Sequence, residues 1–166
     1  MKQLKSFLIA AIMFAGTSFT MNAQVKIAHV DVNEITSKMP AMLDAQKQLE
    51  KLSATYDSEY KTMAEEYQNK LKKYDQEAST VTEAVNQTRQ TEVQDLVKRI
   101  SDYRENAQKE LQKKEADLVK PIIEKIKKSI AKVGKEKGYQ YVLNVADLLL
   151  SEGPDLTADV KKDLGF

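Results

Sequence analysis

The chain has 166 residues, 42% hydrophobic and 31% charged, with five Gly, three Pro, one His, no Trp and no Cys. Without cysteine there is no disulfide framework, Cys-based zinc site or thiol nucleophile, and the single imidazole, His29, leaves little for metal or acid/base chemistry. A formal net charge of +1 lacks the basic excess that phosphate contacts demand, which argues against a nucleic-acid partner.

Residues 1–23 have the three-part layout of a secretory signal peptide: Lys2 and Lys5, an apolar or small run from Phe7 to Gly16, and a polar stretch closing on Ala23. The run is far shorter than the roughly 20 residues that a bilayer core requires. Export with cleavage after Ala23 is expected, and the absence of cysteine at the cut excludes a lipoprotein route. Loss of the two lysines leaves the remainder at a net charge of −1.

Residues 24–40 form the first part of a small body. Val25 to Val32 (VKIAHVDV) reads as a β-branched strand. A short helix over Asn33 to Lys38 must end before Pro40, because the residue ahead of a proline avoids helix.

From Ala41 to Lys120 there is neither Gly nor Pro, where average usage would supply roughly nine or ten. Apolar or small residues at Met42, Ala45, Leu49, Leu52, Tyr56 and Tyr60, and on to Val85, are separated only by threes and fours, averaging about 3.6 residues. A second series runs from Val93 through Leu96, Ile100 and Tyr103 to Val133. So narrow a stripe among Lys, Glu and Gln is a coiled-coil seam. The hydroxyl-rich segment near 78–84 places a hairpin tip there, with Thr80 and Glu83 at capping-box spacing and Thr82 as an alternative cap. The arms over 41–79 and 81–137 would be about 60 Å and 85 Å long. Pro121 falls where the first arm begins, and is the candidate hinge between the hairpin (41–120) and the second body segment (121–166).

Gly138 suits a left-handed stop of the long helix. Tyr139 to Val145 alternates like a strand, Leu148 to Ser151 suggests a third, Gly153-Pro154 a turn, and Thr157 a cap for a last helix over Ala158 to Leu164. The fold class is α+β, mostly α: a long antiparallel coiled-coil hairpin projecting from a small β body. Two- or three-stranded sheets keep open edges, so oligomerisation is expected.

Tyr56, Tyr60, Met63, Tyr67, Tyr74 and Tyr103, with Met42, are candidate partner contacts, although the same stripe is what packing between two arms requires. Ile27, Val30, Tyr141, Leu143 and Val145 are the candidate body core and subunit contacts. His29 stands alone, Asp31 and Glu34 lack the other parts of an acid/base site, and the lysines from Lys125 to Lys137 read as a solvated face or a basic patch. No catalytic residue, cofactor site or metal-ligand set is expected.

The order of elements, with Lys26-Ile-Ala-His-Val-Asp-Val32, Pro40 followed by Ala45 to Glu50, Lys120-Pro-Ile-Ile123, Lys135-Glu-Lys-Gly-Tyr139 and Asp155 to Val160, resembles the Skp or OmpH-like family of periplasmic chaperones for outer-membrane proteins. The resemblance implies a jellyfish-shaped homotrimer with a shared β-barrel and three hairpins enclosing a cavity. It implies ATP-independent holding of unfolded outer-membrane β-barrel proteins, with the outer-membrane assembly machinery as a further partner. Some members of that family have strongly basic arms, whereas here residues 41–120 sum to −2 and positive charge gathers in 121–138, at +4. Contact with a membrane surface is left open. A structural coiled-coil spacer of the envelope would use the same arms without accepting clients.

Overall fold

A computed structural model describes residues 25–166; the expected signal peptide and its cleavage site lie outside the described residues. The element order is β1 (Ile27–Val30), α1 (Val32–Lys38), α2 (Pro40–Glu77), α3 (Glu83–Glu136), β2 (Tyr141–Asn144), a 3-10 turn (Val145–Asp147) and α4 (Thr157–Leu164).

The hairpin follows from the uninterrupted seam. Helices α2, of 38 residues, and α3, of 54, pack along each other over most of the length of α2. They turn over residues 78–82, and the cap is Thr82 rather than Thr80: its hydroxyl accepts from the Val85 N–H at 3.4 Å. Thr80 instead donates to the Glu77 carbonyl at 2.8 Å, closing the preceding helix. Proline at the first position of α2 costs no hydrogen bond, since that N–H would have no helical partner. Pro121 lies inside α3, where it has no N–H to offer the Asp117 carbonyl.

The body is assembled from both chain ends. Strands β1 and β2 pair in parallel, with Ile27 opposite Tyr141, Ala28 opposite Val142, His29 opposite Leu143 and Val30 opposite Asn144. Ala28 and Val30 turn inward and join Ile35, Met39, Ile126, Val133, Leu156 and Val160 in one buried cluster. Leu148 to Ser151 forms no third strand. That side of the sheet is occupied by Pro154–Leu156, where the His29 N–H donates to the Pro154 carbonyl and the Leu156 N–H to the His29 carbonyl, both at 2.9 Å. These bonds satisfy one residue of β1 rather than a ladder, so the edge stays largely open.

Thr157 is the first residue of α4 and not its cap. Its hydroxyl donates to Asp155 Oδ1 and accepts from the Asp31 N–H at 2.9 Å, linking the start of α1 to the start of α4. Gly138 adopts φ 76°, the left-handed conformation that ends α3 without a steric penalty.

Candidate functional site

Two surfaces concentrate the residues singled out from the sequence: the seam of the arms and the outer face of the sheet.

On the arms, Tyr56 of α2 meets Tyr103 of α3 edge to face, with centroids 6.1 Å apart and planes inclined at 75°. The Tyr103 hydroxyl donates to Glu59 Oε2 at 2.7 Å. Burial, and then that bond to a carboxylate, raise the phenol pKa to about 12. Tyr67 and Met63 are half-buried along the same stripe, whereas Tyr60, one turn beyond Tyr56, is exposed. Around the Tyr56–Tyr103 pair lies an open groove of about 340 Å³, completed by Asp57, Tyr60, Arg104 and Leu111. Its volume has a simple origin: Ala107 supplies only a methyl where the seam positions one turn away carry Tyr103 and Leu111.

Nearer the tip, Tyr74 belongs to a charged cluster instead. The Arg89 guanidinium lies 4.6 Å from the Tyr74 ring centroid and pairs with Glu77. Its Nη1 is buried without a hydrogen-bond partner among the described residues, and the attraction of the Tyr74 ring for the guanidinium offsets part of that cost. Glu92 accepts from both Lys70 and the Tyr74 hydroxyl, and these contacts hold the Glu92 carboxyl below its ordinary pKa. The six candidate contacts therefore do not form one surface. Tyr56, Tyr60 and Tyr103 gather at the groove, Tyr74 joins the ionic cluster, and Tyr67 and Met63 lie between. Tyr56 and Tyr103 could be found from seam spacing; Arg104 and Arg89, at polar positions, carry no such signal.

In the body, Ile27, His29, Tyr141 and Leu143 share the outer face of the sheet. His29 is covered, with Nδ1 at 3.9 Å from where a Cβ on Gly153 would stand. Ile27, Tyr141 and Leu143 are 48%, 58% and 40% exposed in the single chain, and Leu149 and Leu150, in the segment after the 3-10 turn, are exposed as well. Val30 faces the other way into the core, and Val145 is half-buried in the 3-10 turn.

The two carboxylates near β1 are occupied structurally. Asp31 Oδ1 accepts from the Glu34 N–H at 2.8 Å as the cap of α1. Glu34 pairs with Lys161 at 2.7 Å and Lys38 at 3.0 Å, and hydrogen bonds from those two ammonium groups lower its pKa to about 2. Of the C-terminal lysines, Lys132 pairs with Asp163, Lys137 with Asp159 and Lys127 with Glu124, while Lys125, Lys128 and Lys135 form no ion pair among the described residues. Among the described residues no cluster of His, Asp and Glu has the makings of a metal site, and no helix is long and apolar enough to cross a membrane.

Residues 26–164 match the model of the family described as outer membrane protein (OmpH-like). The Chaperone protein Skp of Photorhabdus luminescens is 27% identical over 164 residues, covering 97% of this chain and 99% of that protein. The Chaperone protein Skp of Pectobacterium atrosepticum is 24% identical over 150 residues, covering 90% and 91%. In structure, the chain is similar to an OmpH-like outer membrane chaperone of Caulobacter crescentus, with a TM-score of 0.77, 14% identity, and coverage of 86% of this chain and 85% of that one. At that identity the likeness concerns the fold.

Proposed function

The chain belongs to the OmpH-like family, and from that premise we propose that it is an ATP-independent holdase that keeps unfolded outer-membrane β-barrel proteins from aggregating in the periplasm. The observation that carries the proposal is the continuity of the likeness: proteins named Chaperone protein Skp align with this chain almost end to end, arms and body together.

The physical features suit such a task. An unfolded barrel protein presents many alternating apolar side chains, and an amphipathic arm offers many weak contacts rather than one tight pocket. Each contact is individually releasable, so no nucleotide-driven step is needed to let the client go. Tyr56, Tyr60, Met63, Tyr67, Tyr74 and Tyr103 are the proposed client contacts, and Pro121 the proposed hinge between arm and body. Three copies would enclose a cavity, with Ile27, Tyr141 and Leu143 closing against the neighbouring chains and Val30 and Val145 supporting them. Proposed boundaries are a cleaved export signal over 1–23, body segments over 24–40 and 121–166, and the arm over 41–120.

The test is size-exclusion chromatography with light scattering, after a urea-denatured outer-membrane β-barrel protein is diluted into the purified mature chain without nucleotide. A soluble complex with the mass of three chains plus client is expected. Free chain eluting alone while the client aggregates would overturn the proposal and favour a spacer without clients.

A further inference from the structure

The groove around Tyr56 and Tyr103 combines three kinds of group. The edge-to-face ring pair supplies an apolar floor, and Tyr60 adds a third ring that remains exposed. Arg104 and Asp57 line the same groove, and among the described residues neither side chain forms an ion pair or hydrogen bond. Around Tyr74, by contrast, the charges are already used: Arg89 is spent on the ring and Glu77, and Lys70 on Glu92. The neighbouring groove by Lys70 and Glu92 is lined mainly by charged and hydroxyl side chains, with Leu96 as its one aliphatic residue.

That combination is complementary to one chemical unit. An aromatic residue in an extended, unpaired stretch of polypeptide exposes a ring face, a free N–H and a free carbonyl. The ring can lie on Tyr60 and beneath the Arg104 guanidinium, which attracts the electron-rich face. The Asp57 carboxylate can accept the N–H, and remaining guanidinium N–H groups can donate to the carbonyl. An aliphatic side chain would fill the same space without the attraction from Arg104. A β-strand paired on both sides in a sheet would have no spare N–H for Asp57.

We propose that this groove is a subsite for aromatic side chains of unfolded polypeptide, with Tyr60 and Arg104 setting a preference for aromatic over aliphatic residues. The inference deepens the holdase proposal and rests on it. It makes the arm selective for aromatic-rich segments instead of uniformly sticky.

The absence of tryptophan from the chain supplies a clean readout, because the emission of a tryptophan in a peptide reports that peptide alone. Two short unstructured peptides are compared, identical except for tryptophan or leucine at one central position. The tryptophan peptide should show blue-shifted emission on titration with the full mature chain, and the leucine peptide should compete several-fold less well. Arg104→Gln and Tyr60→Ala, both at exposed positions, should each weaken the tryptophan peptide about three-fold. Arg104→Gln should weaken the leucine peptide less than the tryptophan peptide, because only the ring attraction is specific to the aromatic side chain, and circular dichroism should show unaltered helix. Equal competition by the two peptides, or unchanged tryptophan-peptide affinity in both variants, overturns the subsite. If the same preparation still keeps a denatured barrel protein soluble, only the subsite is lost; if it does not, the holdase proposal itself fails.

Discussion

Gly134 of α3 and Val142 of β2 stand so close that a Cβ on the glycine would lie 2.8 Å from the valine Cγ2. Glycine inside a helix costs about 1 kcal/mol relative to alanine. Here the missing side chain lets the strand seat directly on the long helix, and the stiff β-branched valine has no easy rotamer to retreat into. Gly134→Ala should therefore lower stability by about 1–2 kcal/mol in spite of its better helix propensity. Urea unfolding measures it, and Val142→Ala should recover part of the loss when combined with Gly134→Ala. Additive losses would show that the close approach is not the cause.

Arg89 and Tyr74 should set the stability of the arm tip. Arg89→Ala removes the Glu77 ion pair and uncovers the Tyr74 ring. Amide hydrogen exchange should accelerate across the tip while α1, α4 and the sheet keep their protection. Uniform exchange between variant and wild type would mean that apolar seam contacts alone hold the tip.

Glu34 ties α1 to α4 through Lys161, and its pKa is lowered from 4.5 to about 2, chiefly by the Lys161 and Lys38 hydrogen bonds. A carboxyl depressed in the folded state contributes stability above its unfolded pKa and loses it as pH falls through the folded value. Glu34→Gln should thus be less stable than wild type at pH 7, with the gap closing between about pH 4.5 and pH 2. Thermal unfolding across that range checks it; a gap independent of pH would assign the effect to packing instead of charge.

The outer sheet face carries the proposed assembly contacts. Tyr141→Asp or Leu143→Lys places a charge on an apolar surface that is exposed in the single chain. Each should reduce the light-scattering mass toward one chain while leaving helix content unchanged, since neither side chain belongs to the buried cluster. Retention of the wild-type mass by both variants would locate the contact elsewhere.

The arms were the most legible part of the chain, because long helices announce themselves through spacing and through the lack of Gly and Pro between Ala41 and Lys120. Gly138 was equally plain, since a left-handed helix stop has few other occupants. The body was harder. The pairing of Ile27 with Tyr141 joins residues from opposite ends of the chain, and nothing local specifies that it is parallel. Leu148 to Leu150 has strand-like composition, but the place beside β1 goes to Pro154–Leu156, which the Asp155–Thr157 hydrogen bonds hold in position. Thr80 and Thr82 are both competent caps by type, and only the geometry of the turn selects Thr82. The aromatic groove depends on an alanine between larger seam residues and on two charges without partners among the described residues, relations that exist only once both helices are in place.

The most direct test of the holdase proposal is the turbidity that follows dilution of a denatured outer-membrane β-barrel protein out of urea, with the mature chain present and ATP absent. Suppression that saturates as the chain is added is the predicted result. Turbidity that rises as it does in buffer alone would contradict the proposal.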